Sequence, residues 1–167
     1  KQVVRRTEGT CNAPLVMESL NFCDIKKATT DQDWDNVAGV LIDAAKRLES
    51  AGATAILVCA NSMHKVHDRI AGAVSVPVIH IADAVGEKMK AGGVQSAALL
   101  GTSNVMAENW YRQRLVKHGV TLLPAEMDDV KELDRIIYDE LMVGKATREA
   151  ERTLKSLITE IDQEGIK

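Results

Sequence analysis

The chain has 167 residues, 46% apolar and 27% charged, the balance of one folded α/β domain or two small lobes rather than of a disordered segment. A net charge of −3, a pI near 5.8 and only 3% aromatic residues argue against a basic or stacking surface for nucleic acid. Apolar runs fall short of the roughly 20 residues of a membrane helix, and Cys11, Cys23 and Cys59 follow no metal-like spacing, so a reduced cytoplasmic protein without membrane contact is expected.

Residues 1–8 read as the tail of a helix stopped by Gly9. Residues 13–20 read as a strand, with Pro14 at its start and Glu18, Ser19 and Asn21 at its carboxyl end. Trp34, Val37, Val40, Leu41, Ala44, Ala45 and Leu48 recur at helical spacing, which predicts a helix capped by Asp31 or Asp33 and closed by Gly52. The unbroken apolar run 55–59 suits a strand buried on both faces, and Asn61-Ser62 then caps a helix over 63–74. A strand over 76–81 and a helix over 82–91 follow, ended by Gly92-Gly93. The pattern then repeats: strand 96–100, the turn Gly101-Thr102-Ser103-Asn104, helix 105–118, a short strand 120–123 and helices 127–143 and 146–163. Alternation at these lengths means an α/β fold with a mainly parallel sheet. Gly92-Gly93 is the best boundary, giving lobes 1–92 and 93–167. The chain opens on Lys rather than Met and its last helix runs almost to Lys167, so it reads as the interior of a longer chain.

A buried parallel strand leading into a capped helix sets its small polar residues at the carboxyl edge of the sheet, where open α/β folds bind ligands. Cys59 stands there with two readings: a buried structural thiol, or a base or nucleophile whose pKa is lowered from about 8.5 by the helix beyond it. Asn61 and Ser62 either cap that helix or join its backbone N–H groups in holding a carboxylate, and Thr102 and Ser103 carry the same pair of readings. His64 falls in the first helical turn, where the dipole disfavours its charged form. His67 reads as surface decoration and His80 as a hydrogen-bonded core residue; without a third ligand, His64 and His67 are not expected to bind metal. The dinucleotide fingerprint, the phosphate-binding loop and the Gly-x-Ser-x-Gly elbow are absent from the sequence.

Cys59-Ala60-Asn61-Ser62-Met63-His64-Lys65-Val66 resembles the Asn-Thr-Met-His-Lys block of the aspartate/glutamate racemase family, most closely its broad-specificity amino acid racemases. Glu18-Ser19-Leu20-Asn21-Phe22 resembles that family's Ser-Val-Asp-Phe segment, and Pro77-Val78-Ile79-His80-Ile81-Ala82-Asp83 its Pro-Leu-Leu-His-Ile-Ala-Asp stretch. Leu99-Leu100-Gly101-Thr102 and Ile136-Ile137-Tyr138-Asp139-Glu140-Leu141 match as well.

The resemblance implies two pseudo-symmetric α/β lobes with an amino acid held in the cleft between them, no cofactor, and often a homodimer. Two residues facing opposite sides of the α-carbon would remove and return its proton, with Asn61, Ser62, Thr102, Ser103, Glu18 and Ser19 as substrate-binding candidates and Cys59 as the catalytic one. Several positions depart from the family pattern. Ala60 stands where active members carry Cys or Thr, and the Gly-Cys-Thr-Glu segment that holds the second catalytic Cys is absent from these residues, as is the N-terminal strand with its Gly-Gly turn. Met142 stands where many aspartate racemases carry lysine, and Glu18, if it faces the substrate, would disfavour a second acidic side chain. Three functions remain: an amino acid racemase, a one-base decarboxylase or isomerase of small carboxylic acids, and a binding homologue without turnover.

Overall fold

The computed structural model describes Gly9, residues 13–123 and residues 127–163; the helix expected over 1–8, and Cys11, lie outside the described residues. The chain divides into two compact units, Lys1–Leu57 with Val66–Val78 and Val58–Lys65 with Ile79–Lys167. Gly92 and Gly93 therefore fall inside the second unit.

The first unit contains α1 (Phe22–Thr30), α2 (Trp34–Ser50), β1 (Ile56–Leu57) and α3 (His67–Ala71). Helix α1 was not expected, because Ile25 and Ala28 are its only buried residues and make too sparse an apolar signal. Its start is nevertheless well built: the Asn21 side chain accepts the Cys23 N–H at 3.2 Å and donates to Asp24 at 2.9 Å. Asp33 is the cap of α2, accepting the Asn36 N–H at 3.1 Å, and the helix buries Val37, Ala38, Ala44 and Ala45. After it Gly52 turns the chain at φ +88°, a conformation that favours glycine. The Glu49 carboxylate of α2 then accepts the Ser75 N–H at 2.7 Å and the Val76 N–H at 3.2 Å, pinning the chain as it enters β2 (Val78–Ile79). The Ser75 hydroxyl and these amides hold the Glu49 carboxyl below its ordinary pKa.

Two expected strands are corrected here. Residues 13–20 form neither strand nor helix, and Leu15 and Met17 are 74% and 82% exposed. In the run 55–59 only Ile56–Leu57 is a strand, paired with β2 through the Ile56 N–H and the Pro77 carbonyl at 2.9 Å. Ile56 is buried and Leu57 is 66% exposed, so this strand covers one face rather than two. An apolar run expresses strand propensity, but ladder partners and a second covering layer come from elsewhere in the chain.

The second unit contains α4 (Ile81–Ala91), β3 (Ser96–Ala97), α5 (Ser103–Met106), α6 (Asn109–Lys117), β4 (Thr121–Leu122), α7 (Met127–Arg135) and α8 (Arg148–Gln163). Strands β3 and β4 are parallel, Ser96 opposite Thr121 and Ala97 opposite Leu122. Ala82, Ala97, Val105, Tyr111, Leu115 and Val120 form a core around them. Helix α4 lies close to His118, since a methyl group added at Gly86 would stand 2.6 Å from that imidazole. Asp83 fastens the same contact by accepting from Arg114 and from His118. Burial pushes the Asp83 carboxyl up, but these hydrogen bonds outweigh it and the net shift is downward. A second cluster, Met106, Val130, Leu133 and Leu157, joins α5, α7 and α8.

Two helices expected to be continuous are broken. The one over 105–118 is α5 and α6 with Glu108 extended before α6, and the carbonyls of Asn104 and Met106 are taken up by the Trp110 indole at 2.9 Å and Arg112 at 3.0 Å. The one over 127–143 passes from α7 into a π-helix, Ile136–Glu140, and a 3₁₀ turn, Leu141–Val143, ending at Gly144 with φ +76°. Arg135 and Thr147 both donate to Glu140, which holds the π segment and lowers the Glu140 pKa, the Thr147 hydroxyl being the larger cause.

Candidate functional site

The candidate residues after 57 belong to the second unit. Beyond β1 the chain enters a 3₁₀ helix, Asn61–Val66, rather than an α-helix, and α3 starts only at His67 with Val66 as a cap that makes no side-chain bond. The capping expected of Asn61 and Ser62 is thereby corrected. Asn61 is exposed and Ser62 half-buried. Cys59 is an exposed free thiol, which removes the reading of a buried structural cysteine. Ala60 beside it is also exposed and has nothing to ionise.

What holds this turn is His64. Its ring is 3% exposed, and its Nδ1 lies 3.1 Å from the Ala60 carbonyl and 3.3 Å from that of Asn61. Behind it stands His80, 4% exposed, with ring centres 4.7 Å apart. His80 is the N-cap of α4, its Nδ1 accepting the Ala82 N–H at 3.1 Å. The Trp110 ring lies next in line, 6.2 Å from His80, and its indole reaches the Asn104 carbonyl. A Lys65–Glu108 ion pair at 2.6 Å also ties the 3₁₀ helix to the start of α6.

The second polar turn follows β3. Thr102 precedes α5 in an extended conformation, and the Ser103 N–H donates to the Asp134 carboxylate of α7 at 2.8 Å. The Thr102 hydroxyl oxygen is buried and makes no hydrogen bond of regular geometry among the described residues. Tyr138 of the π-helix stands near enough for that hydroxyl to act on its phenol, a weaker relation than a formed bond. Burial pushes the Tyr138 phenol up, Asp134 adds to the rise, and Thr102 opposes it.

In the first unit, Glu18 is engaged by Arg47, whose Nε donates at 3.0 Å, and Ser19 is exposed. His67 is buried rather than surface decoration: Nε2 lies 2.9 Å from the Val78 carbonyl and Nδ1 2.9 Å from Asp68. Among the described residues, no three His, Cys, Asp or Glu side chains gather as a metal site would require, and no helix is long and apolar enough to cross a membrane.

The sequence model of the Asp/Glu/Hydantoin racemase family matches residues 1–167. The chain belongs to that family. Solved structures agree in fold. A candidate Asp/Glu racemase from Yersinia pestis is 35% identical with a TM-score of 0.88, over 99% of this chain and 73% of that one. An aspartate racemase homologue from Pyrococcus horikoshii is 32% identical with a TM-score of 0.79, over 99% of this chain and 72% of that one. The α/β racemase fold is thereby established, and membership of the racemase family supports a racemase-type, isomerase function on a small molecule.

Within this racemase fold, sequence reasoning located the two polar turns and missed what supports them. Asp134 and Tyr138 had a detectable signal, four residues apart on one helical face. His80 was expected as a hydrogen-bonded core residue and not as a helix cap, and its contact with His64 links residues 16 apart and needs the fold.

Proposed function

We propose that this chain is part of a cofactor-independent amino acid racemase that interconverts L- and D-amino acids by removing the α-proton and returning it from the opposite face. The observation that carries the reading is the family match across residues 1–167. The lobes 1–92 and 93–167 expected from the sequence would hold the amino acid in their cleft, and the protein would act as a cytoplasmic dimer. Asn61 and Ser62 receive the substrate carboxylate, with the Thr102 hydroxyl as a further donor; its buried oxygen without a regular partner supports this role. Leaving such a group unpaired costs about 1–3 kcal/mol, which a substrate hydrogen bond would offset. Ser103 is a weaker contact, because its N–H is already engaged by Asp134. Glu18 contributes less negative charge than its sequence position implies, since Arg47 accompanies it; Ser19 lies beside it in the chain.

The α-proton is weakly acidic, so neutral donors must stabilise the developing carbanion as well as bind the ground state. Cys59 serves as one proton-transfer group, one position before the residue expected to do so; its exposed thiol is available for this. Incubating the full-length protein with a panel of L-amino acids and following D-isomer by chiral chromatography tests the reading. Conversion toward a racemic mixture without added pyridoxal phosphate is expected, and no interconversion of any member would end it.

Ala60 favours a second reading, a one-base isomerase or decarboxylase. In that case solvent deuterium enters the α-position with retained stereochemistry, or carbon dioxide is released, and no D-isomer accumulates.

A further inference from the structure

Several carboxylates of the second unit that are withdrawn from solvent meet a cation: Asp83 meets Arg114 and His118, Glu108 meets Lys65, and Glu140 meets Arg135. Asp134 is half-buried too, yet among the described residues no Lys, Arg or His forms an ion pair with it. Its Oδ1 accepts the Ser103 N–H at 2.8 Å. A carboxylate offers about four acceptor positions over its two oxygens, so Oδ2 is left able to accept more. The residue before Ser103 is Thr102, whose buried hydroxyl oxygen makes no regular hydrogen bond among the described residues. A charge partly removed from water and without a counter-ion is costly, and so is an unsatisfied hydroxyl. A ligand that brings a positive group to one and a polar group to the other relieves both.

We propose that Asp134 receives the α-ammonium group of the substrate on Oδ2, while the Thr102 hydroxyl and the Asn61-Ser62 turn take its carboxylate. The inference rests on the reading of these turns as the carboxylate site. An amino acid at neutral pH carries a negative and a positive group on one carbon. Uncharged donors suit the first and a carboxylate suits the second. Thr102 and Ser103 are consecutive, with Cα atoms about 3.8 Å apart. A carboxylate at Thr102 and a cation at the acid that holds Ser103 are therefore spaced like groups on a single carbon, not like a carboxylate and the far end of a basic side chain. Asp134 favours the charged form of the ammonium. That positive charge in turn stabilises the negative charge developing on the neighbouring α-carbon as its proton leaves. Asp134 is thus a specificity-determining residue, selecting an amino acid over the 2-hydroxy acid with the same side chain, which brings no positive charge.

Calorimetric binding to the full-length protein tests this. A panel of L-amino acids identifies the one that binds most tightly, and the 2-hydroxy acid with the same side chain is then compared with it. The unaltered protein is expected to prefer the amino acid by about tenfold or more, the worth of one hydrogen bond between charged groups. Asp134→Asn keeps an oxygen for the Ser103 N–H but removes the charge. In D134N the preference should fall below about threefold, through weaker binding of the amino acid and not of the hydroxy acid. A preference that survives in D134N, or that is missing from the unaltered protein, overturns the assignment. A second pair, L-lysine and L-norleucine, separates the two possible sources of the cation: if D134N loses only a preference for lysine, Asp134 serves a side chain and the α-ammonium assignment falls. Binding needs no turnover, so a protein that binds amino acids without forming D-isomer ends the racemase reading and leaves this test standing. Absence of binding by every member of the panel overturns the proposal.

Discussion

At the turn after β1 the backbone offers a carbonyl, that of Ala60, and the His64 imidazole stands against it. At the turn after β3 it offers an amide, the Ser103 N–H, and the Asp134 carboxylate holds that. The local patterns are alike, an apolar strand followed by two small polar residues, yet the supports differ in charge. A substrate carboxylate approaching Asn61 meets a turn whose support, an imidazole, brings no negative charge. One approaching Ser103 meets a turn that already carries an anion on its donor. Similar sequence therefore does not give equivalent sites.

That asymmetry can be broken by mutation. Asn61→Ala should have the largest effect, lowering kcat/KM about tenfold to a hundredfold while leaving Tm nearly unchanged, because the side chain is exposed. Steady-state kinetics beside a thermal melt checks both halves, and a matching loss of Tm would show the residue to be structural. Asp134→Ala should also cost stability. Without its acceptor the Ser103 N–H loses its partner, costing about 1–3 kcal/mol in chemical denaturation, and Asp134→Asn should recover most of that. If Asp134→Ala instead tightens binding without loss of stability, the carboxylate was only repelling substrate.

Thr102→Val sharpens the contrast within the second turn. Removing a buried hydroxyl that makes no regular bond relieves its unpaired cost, so stability should rise, by up to about 1–3 kcal/mol, and KM should rise if the oxygen contacts substrate. Unchanged kinetics would remove Thr102 from the site. The smallest expected effect concerns acid. The Asp83 pKa is depressed in the folded protein, so its contribution is complete above the ordinary carboxyl value of about 3.9 and is lost as pH falls through the lower folded value. Thermal melts from neutral pH downward should show a steeper loss below about pH 4 in the unaltered protein than in Asp83→Asn. Parallel curves would mean that Arg114 and His118 hold α4 without help from that charge.

The legible parts of the fold were those fixed locally. Helix α2 announces itself through seven apolar residues at helical spacing and Asp33 at its start, and α4 through its glycine stop, because capping and periodicity act within a few residues. Residues 13–20 and 55–59 were over-read because strand pairing depends on distant chain, and apolar composition says nothing about whether a ladder partner or a covering layer is present. At the candidate site the polar turns could be found, but their supports could not. His64 to His80, Ser103 to Asp134 and Lys65 to Glu108 span 16, 31 and 43 positions, and each is a contact made by the fold. Cys59 was expected to close the strand 55–59, but β1 ends two residues earlier at Leu57, and the α-helix whose dipole was to act on Cys59 begins only at His67.

The π segment Ile136–Glu140 carries a consequence for chain length. A π turn accommodates one more residue than the α-helical turn it replaces, so deleting a single residue there would let α7 run on regularly instead of leaving a gap. Everything downstream, Glu140 and Thr147 included, would then be re-indexed by about 100° around the helix axis and 1.5 Å along it. Tyr138 owes its place beside Thr102 to that count as much as to its own chemistry. In this stretch the number of residues is itself a structural specification, and an insertion or deletion is a sharper change than a substitution.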